Sequence, residues 1–266
     1  MKNKLCGVED TLYIPLVARI YVSKRFPDFF YDGKALELEE HFLKIVPVIT
    51  TTEFFNMASA CRQQTIDKKI KEFLNAHKEC NVVFLGAGLE TAYDRIGNKT
   101  AKFYQVDLPN VINVRKGLLG EAVNEKLISG DMFTLEWINE IDTKLPSMVV
   151  VSGVYQYFTK PKIVNMIKRM AERISKFELV FDVTNTTGLK FANKYVKKTG
   201  NTDATMYFSI DDVCVFSQEV EMKLVSLDGF FSDALLHCKG MSLKTKIYMY
   251  FADKLRRTMV IHLCSK

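Results

Sequence analysis

"NVVFLGAGLETAYDRIG", residues 81–97, decides how the rest of this chain is read. An apolar run leads into two glycines one residue apart, Gly86 and Gly88, and then into what reads as the start of a helix. Glycine there lets the backbone turn tightly and approach a ligand where a Cβ would intrude. The dinucleotide fingerprint asks for a third Gly or Ala at position 91, which here is Thr91. Glu90 also sits in the loop. Its carboxylate would oppose a pyrophosphate resting on the helix N-terminus, although it could simply favour that helix's dipole.

Working outward, short β-rich runs alternate with helical ones. The strand candidates are "NVVFLG", "AKFYQVD", "EKLISGD", "SMVVVSGV" and "FELVFDVT", with "MKLVSLDGFF" and "TMVIHLCSK" near the C-terminus. Between them lie "PNVINVRKGLLGEAV", "PKIVNMIKRMAERISKF" and "LKTKIYMYFADKL", patterned as helices. Strands that are apolar nearly throughout predict a mostly parallel sheet covered on both faces. Before residue 81 the pattern differs: "GKALELEEHFLKIV" and "TIDKKIKEFLNAH" space apolar residues as helices do, with Asp67 near the start of the second. We therefore expect a helical cap over residues 1–80 and an α/β core over 81–266, joined as one compact unit.

Composition narrows the class. The chain has 266 residues, 48% of them hydrophobic, enough to bury a substantial core. No apolar stretch is long enough to span a bilayer, and Met1 to Asp10 has no apolar signal region. Six scattered cysteines without a CxxC pair predict reduced thiols in a cytoplasmic protein. The histidines form no ligand-spaced cluster, so no metal is expected; His262 with Cys264, and His237 with Cys238, are the nearest approaches. The formal charge of +6 is mild. Lys190, Lys194, Lys197 and Lys198 read as a solvated helix face, and nothing resembles a nucleic-acid-binding motif.

Ligands of such sheets sit at the carboxyl ends of the strands. Those ends carry Gly86-Ala87-Gly88, Asp107-Leu108, Asp131-Met132, Ser152-Gly153 and the run Asp182 to Asn185. Asp107 lies where an acid can accept hydrogen bonds from two ribose hydroxyls; its other reading is a cap for the helix opening at Pro109. Asp131 with apolar Met132 could meet an adenine, or cap a loop. S-adenosylmethionine has a sulfonium, an ammonium and one carboxylate but no phosphate, so it tolerates an acidic glycine loop.

At these residues the chain resembles a known family. "LGAGLET", "FYQVDLPNVI", "SGDMFTLEWINEI" and "VVVSGVYQYF" look like the leucine carboxyl methyltransferase family, which includes polyketide carboxyl O-methyltransferases. The likeness takes in "TLYIPLVARIYVSKRFPDFFYD" and "SACRQQTIDKKIKEFL" as well. It implies a class I methyltransferase, Rossmann-like fold with a seven-stranded sheet whose last strand is antiparallel, and S-adenosylmethionine as methyl donor. It further implies that Arg62 pairs with the methionine carboxylate, that Gly86 and Gly88 form the glycine loop, and that Asp107 holds the ribose. Relatives often place an acid where this chain has Thr134, so Asp131 or the Thr134-Leu135 pair serves the adenine side. Ser152 stands where the protein-methylating members have a glutamate, which favours a small-molecule acceptor.

The reaction class follows from what the strand ends lack. From Lys78 to Leu236 there is no histidine to act as base. The fourth strand ends in Ser152-Gly153 rather than a metal-binding aspartate, and "SGVYQYF" is not the Asn/Asp-Pro-Pro-aromatic motif of amino-group methyltransferases. A carboxylate with pKa near 4 is already ionised and needs no base. The expected reaction is thus methyl transfer to the carboxylate of a small molecule. Tyr155, Gln156 and Tyr157 follow the fourth strand; Tyr157 matches the family and would face the methyl, whereas Tyr155 could equally be core. Arg19 and Tyr21 are candidates to reach the acceptor, or else helix surface contacts. The alternatives are a nicotinamide-dependent oxidoreductase, disfavoured by Glu90, Thr91 and the absence of a Tyr-x-x-x-Lys motif, or a non-catalytic binding protein on the same fold.

Overall fold

The computed structural model describes residues 12–43, 52–98, 100–198 and 205–266, the side chains of 40–43 and 195–198 excepted. The Met1–Asp10 reading, the end of the run to Val46, and the side chains of Lys197 and Lys198 therefore lie outside the described residues.

Three helices come first: α1 (Tyr13–Arg25), α2 (Gly33–Leu43) and α3 (Glu53–Ala76). Strands and helices then alternate: β1 (Asn81–Leu85), α4 (Ala92–Ile96), β2 (Lys102–Asp107), α5 (Pro109–Leu119), β3 (Glu125–Ser129), β4 (Ser147–Val151), α6 (Lys160–Arg173) and β5 (Phe177–Thr184). The chain closes with α7 (Thr186–Lys198), α8 (Val213–Glu219), β6 (Lys223–Gly229), α9 (Ser232–His237), α10 (Leu243–Lys254) and β7 (Thr258–Cys264). All seven expected strands are present. They form one sheet in the order β3-β2-β1-β4-β5-β7-β6, in which β7 alone runs antiparallel to its neighbours. The fold is the mixed α/β, doubly covered sheet that the apolar strands predicted.

Both faces are buried because alternate strand residues supply two separate cores. Val83, Val149, Leu179 and Ile261 face one way, onto α6 and α8. Val82, Met148, Val150, Val180 and Val260 face the other, onto α3, α9 and α10. β1 and β4 are buried at every position, as central strands of a covered sheet must be.

α3 is longer than its sequence pattern suggested, 24 residues, with Thr52 as its N-cap. Asp67 is therefore not near a helix start. It sits mid-helix, buried, and both its carboxylate oxygens accept from Arg95 at 2.8 and 2.9 Å. Met57, Ala60, Ile66 and Ile70 of α3 share one hydrophobic cluster with the sheet, so α3 is a layer of the core. Among the described residues no helix is long and apolar enough to cross a membrane, and His262 donates to or accepts from Glu178 at 2.7 Å.

Candidate functional site

The carboxyl ends of β1, β2, β3 and β4 open into one cavity of about 380 Å³. Its floor is the glycine loop. Gly86 and Gly88 have φ of +67° and +50°, the left-handed region that side chains disfavour. At Gly86 the demand is also steric, because an added Cβ would lie 2.5 Å from Val154 Cγ2. The Gly86 and Ala87 amides donate to the Val106 carbonyl at 2.9 and 3.1 Å, which pins the loop to β2.

Asp107 ends β2 at this same edge. Its Oδ2 accepts from the Gly88 amide and its Oδ1 from the Leu108 amide, each at 2.7 Å. The cap of α5 is Leu108, without a side-chain bond, so Asp107 does not cap that helix. The two glycines, Asp107 and Leu108 all line the cavity.

Glu90 borders the cavity, and its carboxylate is engaged within the protein. It is buried, and its Oε1 accepts from the Thr91 amide and pairs with Arg95 Nη2, both at 2.8 Å. Burial alone would raise its pKa, but the Arg95 and Arg19 guanidiniums and the Thr91 amide outweigh burial and hold it at about 2. Around it lies a charge network. Asp32, fully buried, accepts on Oδ2 from Arg19 Nε (2.9 Å), Thr91 Oγ1 (2.6 Å) and Arg95 Nη1 (3.2 Å).

Two guanidiniums clamp the loop's carbonyls. Arg19 donates to Leu89 O at 2.6 Å, and Arg115 donates to Gly88 O at 3.1 Å and Glu90 O at 2.7 Å. Arg19 borders the cavity, yet its recorded contacts fix the loop instead of presenting a free head to an acceptor. Tyr21, two residues on and thus roughly 200° around α1, packs against the core on the α3 face of the sheet and does not line the cavity.

On the β4 side, Arg62 reaches from α3. Its Nη1 donates to Asp182 Oδ2 at 3.1 Å, while the Gly153 amide donates to Asp182 Oδ1 at 2.5 Å. The guanidinium lies against Gly153, where a Cβ would come within 3.0 Å of Nη1. Arg62 Nε and the Ser152 hydroxyl are buried without a partner among the described residues. At the far end Asp131 and Met132 line the cavity. Of the alternative pair, Leu135 is buried in the core, and the Thr134 hydroxyl donates to the Asp131 carbonyl at 3.0 Å, away from the lining.

The aromatic candidates fare differently. Tyr155 is fully buried, its ring 5.3 Å from Phe181, its hydroxyl without a partner. Burial pushes its phenol far above the usual value, and the structure places it in the core, outside the cavity lining. Tyr157 and Gln156 are half-buried and outside the lining; the Gln156 carbonyl accepts from the Tyr207 amide at 2.6 Å. Sequence reasoning missed Gln63, Val154 and Phe158, all of which line the cavity. The run "RQQT" gave no sign of which glutamine would point inward.

The donor set suits S-adenosylmethionine: an acid at the second strand end, a glycine cradle that a Cβ would fill, and a cation with an unpartnered nitrogen. A model of the family described as leucine carboxyl methyltransferase matches residues 15–171, which span α1 to α6 and hence nearly the whole site. The chain is 26% identical over 208 residues to the tetracenomycin polyketide synthesis O-methyltransferase TcmP of Streptomyces glaucescens, covering 78% of this chain and 77% of that one. Among solved structures, a DUF574 family protein from Streptomyces avermitilis superposes with a TM-score of 0.57 at 12% identity, covering 94% of this chain and 97% of that chain. Magnesium protoporphyrin IX methyltransferase (ChlM) from Synechocystis PCC 6803, with bound SAH, gives 0.51 at 11% identity, covering 95% and 99%. At these identities the two structures speak for the fold.

Proposed function

The chain belongs to the leucine carboxyl methyltransferase family and is an S-adenosylmethionine-dependent methyltransferase, and on that premise we propose that its acceptor is the carboxylate of a small molecule. S-adenosylmethionine supplies, when bound, a methyl carbon made electrophilic by its sulfonium. In this reading Asp107 holds the ribose hydroxyls, Asp131 and Met132 flank the adenine, Arg62 takes the aminoacyl carboxylate, and the clamped glycine loop fixes the donor's place.

The observation that carries the acceptor is the chemistry of the cavity wall. Among its described lining residues there is no His, Tyr, Lys or Cys to remove a proton. Of the three carboxylates in the lining, Glu90 is committed to Arg95, Asp107 to two amides, and Asp131 accepts from the Phe133 amide on the adenine side of this reading. An alcohol or amine would need a base that this lining does not offer, whereas a carboxylate arrives ionised. The protein's task is then alignment and exclusion of water. That TcmP is named an O-methyltransferase of polyketide synthesis supports an oxygen acceptor on a small molecule.

The test uses donor labelled in the methyl group and a panel of aromatic and aliphatic acids, phenols and amines. Label released as methanol under mild base marks a methyl ester and is the expected result. A base-stable product from a phenol or amine would overturn the carboxylate assignment and leave the methyltransferase standing.

A further inference from the structure

α3 carries two consecutive glutamines, and the fold treats them differently. Gln64 donates from Nε2 to the Phe29 carbonyl at 2.9 Å. Gln63 is only 4% exposed, lines the cavity beside Arg62, and among the described residues nothing hydrogen-bonds its amide. Its amide atoms are not sealed in the core with the unpartnered buried ones, so they open to the cavity, where a ligand can complete them. The other buried polar residues of α3, Asn56 and Asp67, have partners, and the remaining buried positions are apolar or small, Met57, Ala60 and Ile66 among them. A methionine at 63 would occupy the same space without offering a donor to the cavity.

The neighbouring charge says what could complete it. Arg62 is already shared with Asp182, which the Gly153 amide holds in turn. An anion reaching Arg62 thus meets a compensated cation, and a neutral donor beside it adds affinity without adding charge. A carboxylate is an acceptor-only group with sites for several donors. A seat neutral overall also suits an aminoacyl end that is itself a zwitterion.

We propose that the Gln63 carboxamide donates to the carboxylate of the ligand's aminoacyl end, completing a two-residue seat with Arg62. The proposal rests on reading the cavity as the S-adenosylmethionine site. No bond is made or broken at Gln63; its role is recognition.

Calorimetric titration with two ligands tests it: S-adenosylhomocysteine, and methylthioadenosine, which lacks the aminoacyl end. Gln63→Met should weaken S-adenosylhomocysteine roughly tenfold or more and leave methylthioadenosine unchanged. Its thermal midpoint should be no lower than that of the native chain. Gln63→Glu, the same shape with a like charge facing the carboxylate, should weaken S-adenosylhomocysteine further. Retained affinity for S-adenosylhomocysteine in Gln63→Met, or equal loss of both ligands, overturns the proposal. Arg62→Ala tests the underlying reading separately, because an unchanged ratio of the two affinities there would remove the aminoacyl seat altogether. A ratio that falls in Arg62→Ala but not in Gln63→Met would sink the glutamine alone.

Discussion

The Gly88 amide donates to Asp107 Oδ2 at 2.7 Å, joining residues 19 apart in the chain. One carboxylate thereby locks the loop after β1 to the end of β2, where the two glycines turn. Asp107→Ala should weaken S-adenosylhomocysteine by about 1–3 kcal/mol, the worth of hydrogen bonds to a charged group. Calorimetry reads this directly, and native affinity in the variant would take Asp107 out of the site.

Glu90 makes stability depend on acid. Its folded pKa of about 2 lies below the ordinary 4.5, so its contribution is complete above 4.5 and is lost as pH falls toward 2. The shift corresponds to roughly 3 kcal/mol at neutral pH. Asp67, which burial raises above its usual 3.8, works the other way on the same Arg95. Urea unfolding of the native chain should steepen its loss of stability below pH 4.5, and Glu90→Gln should be weaker at pH 7 with a flatter acid limb. Parallel limbs would show that the carboxylate is not held down by its guanidiniums.

Two glycines with nearly equal φ separate strain from contact. Gly97 has φ +69° with open space around its missing Cβ, whereas Gly86 has φ +67° and Val154 against it. Gly97→Ala should cost only the left-handed penalty of about 1–2 kcal/mol, with ligand affinity intact. Gly86→Ala should cost more and lose the ligand, and adding Val154→Ala should restore part of both. Equal behaviour of the two variants would mean that Val154 does not set the loop.

Tyr155→Phe should transfer methyl groups as the native enzyme does. Its hydroxyl is buried and unpartnered, so its removal should stabilise by up to about 1 kcal/mol or change nothing. Loss of turnover at unchanged donor affinity would return the phenol to the chemistry.

What could be read from the sequence was whatever is written locally. The strands announced themselves as apolar β-branched runs, and the glycines and Asp107 by their places at the strand ends, which parallel topology gathers at one edge. Glu90 was legible as an oddity but not as an ion pair, because Arg95, Arg19 and Asp32 come from three different helices or their ends. Arg19 fell to the same blindness: its partners Asp32 and Leu89 lie 13 and 70 residues away. Tyr155 and Tyr157 flank a single turn, and only the packing of Phe181 and Phe208 decides which ring is swallowed.

α3 presses one side into the sheet and presents Arg62 and Gln63 to the cavity from the same rigid rod. Its ligand-facing positions cannot drift freely, since tilting the helix to suit a new compound would loosen the packing beneath β4 and β5. Diversification of what such an enzyme accepts should therefore collect at lining positions outside α3 and the sheet, such as half-buried Pro15 at the start of α1.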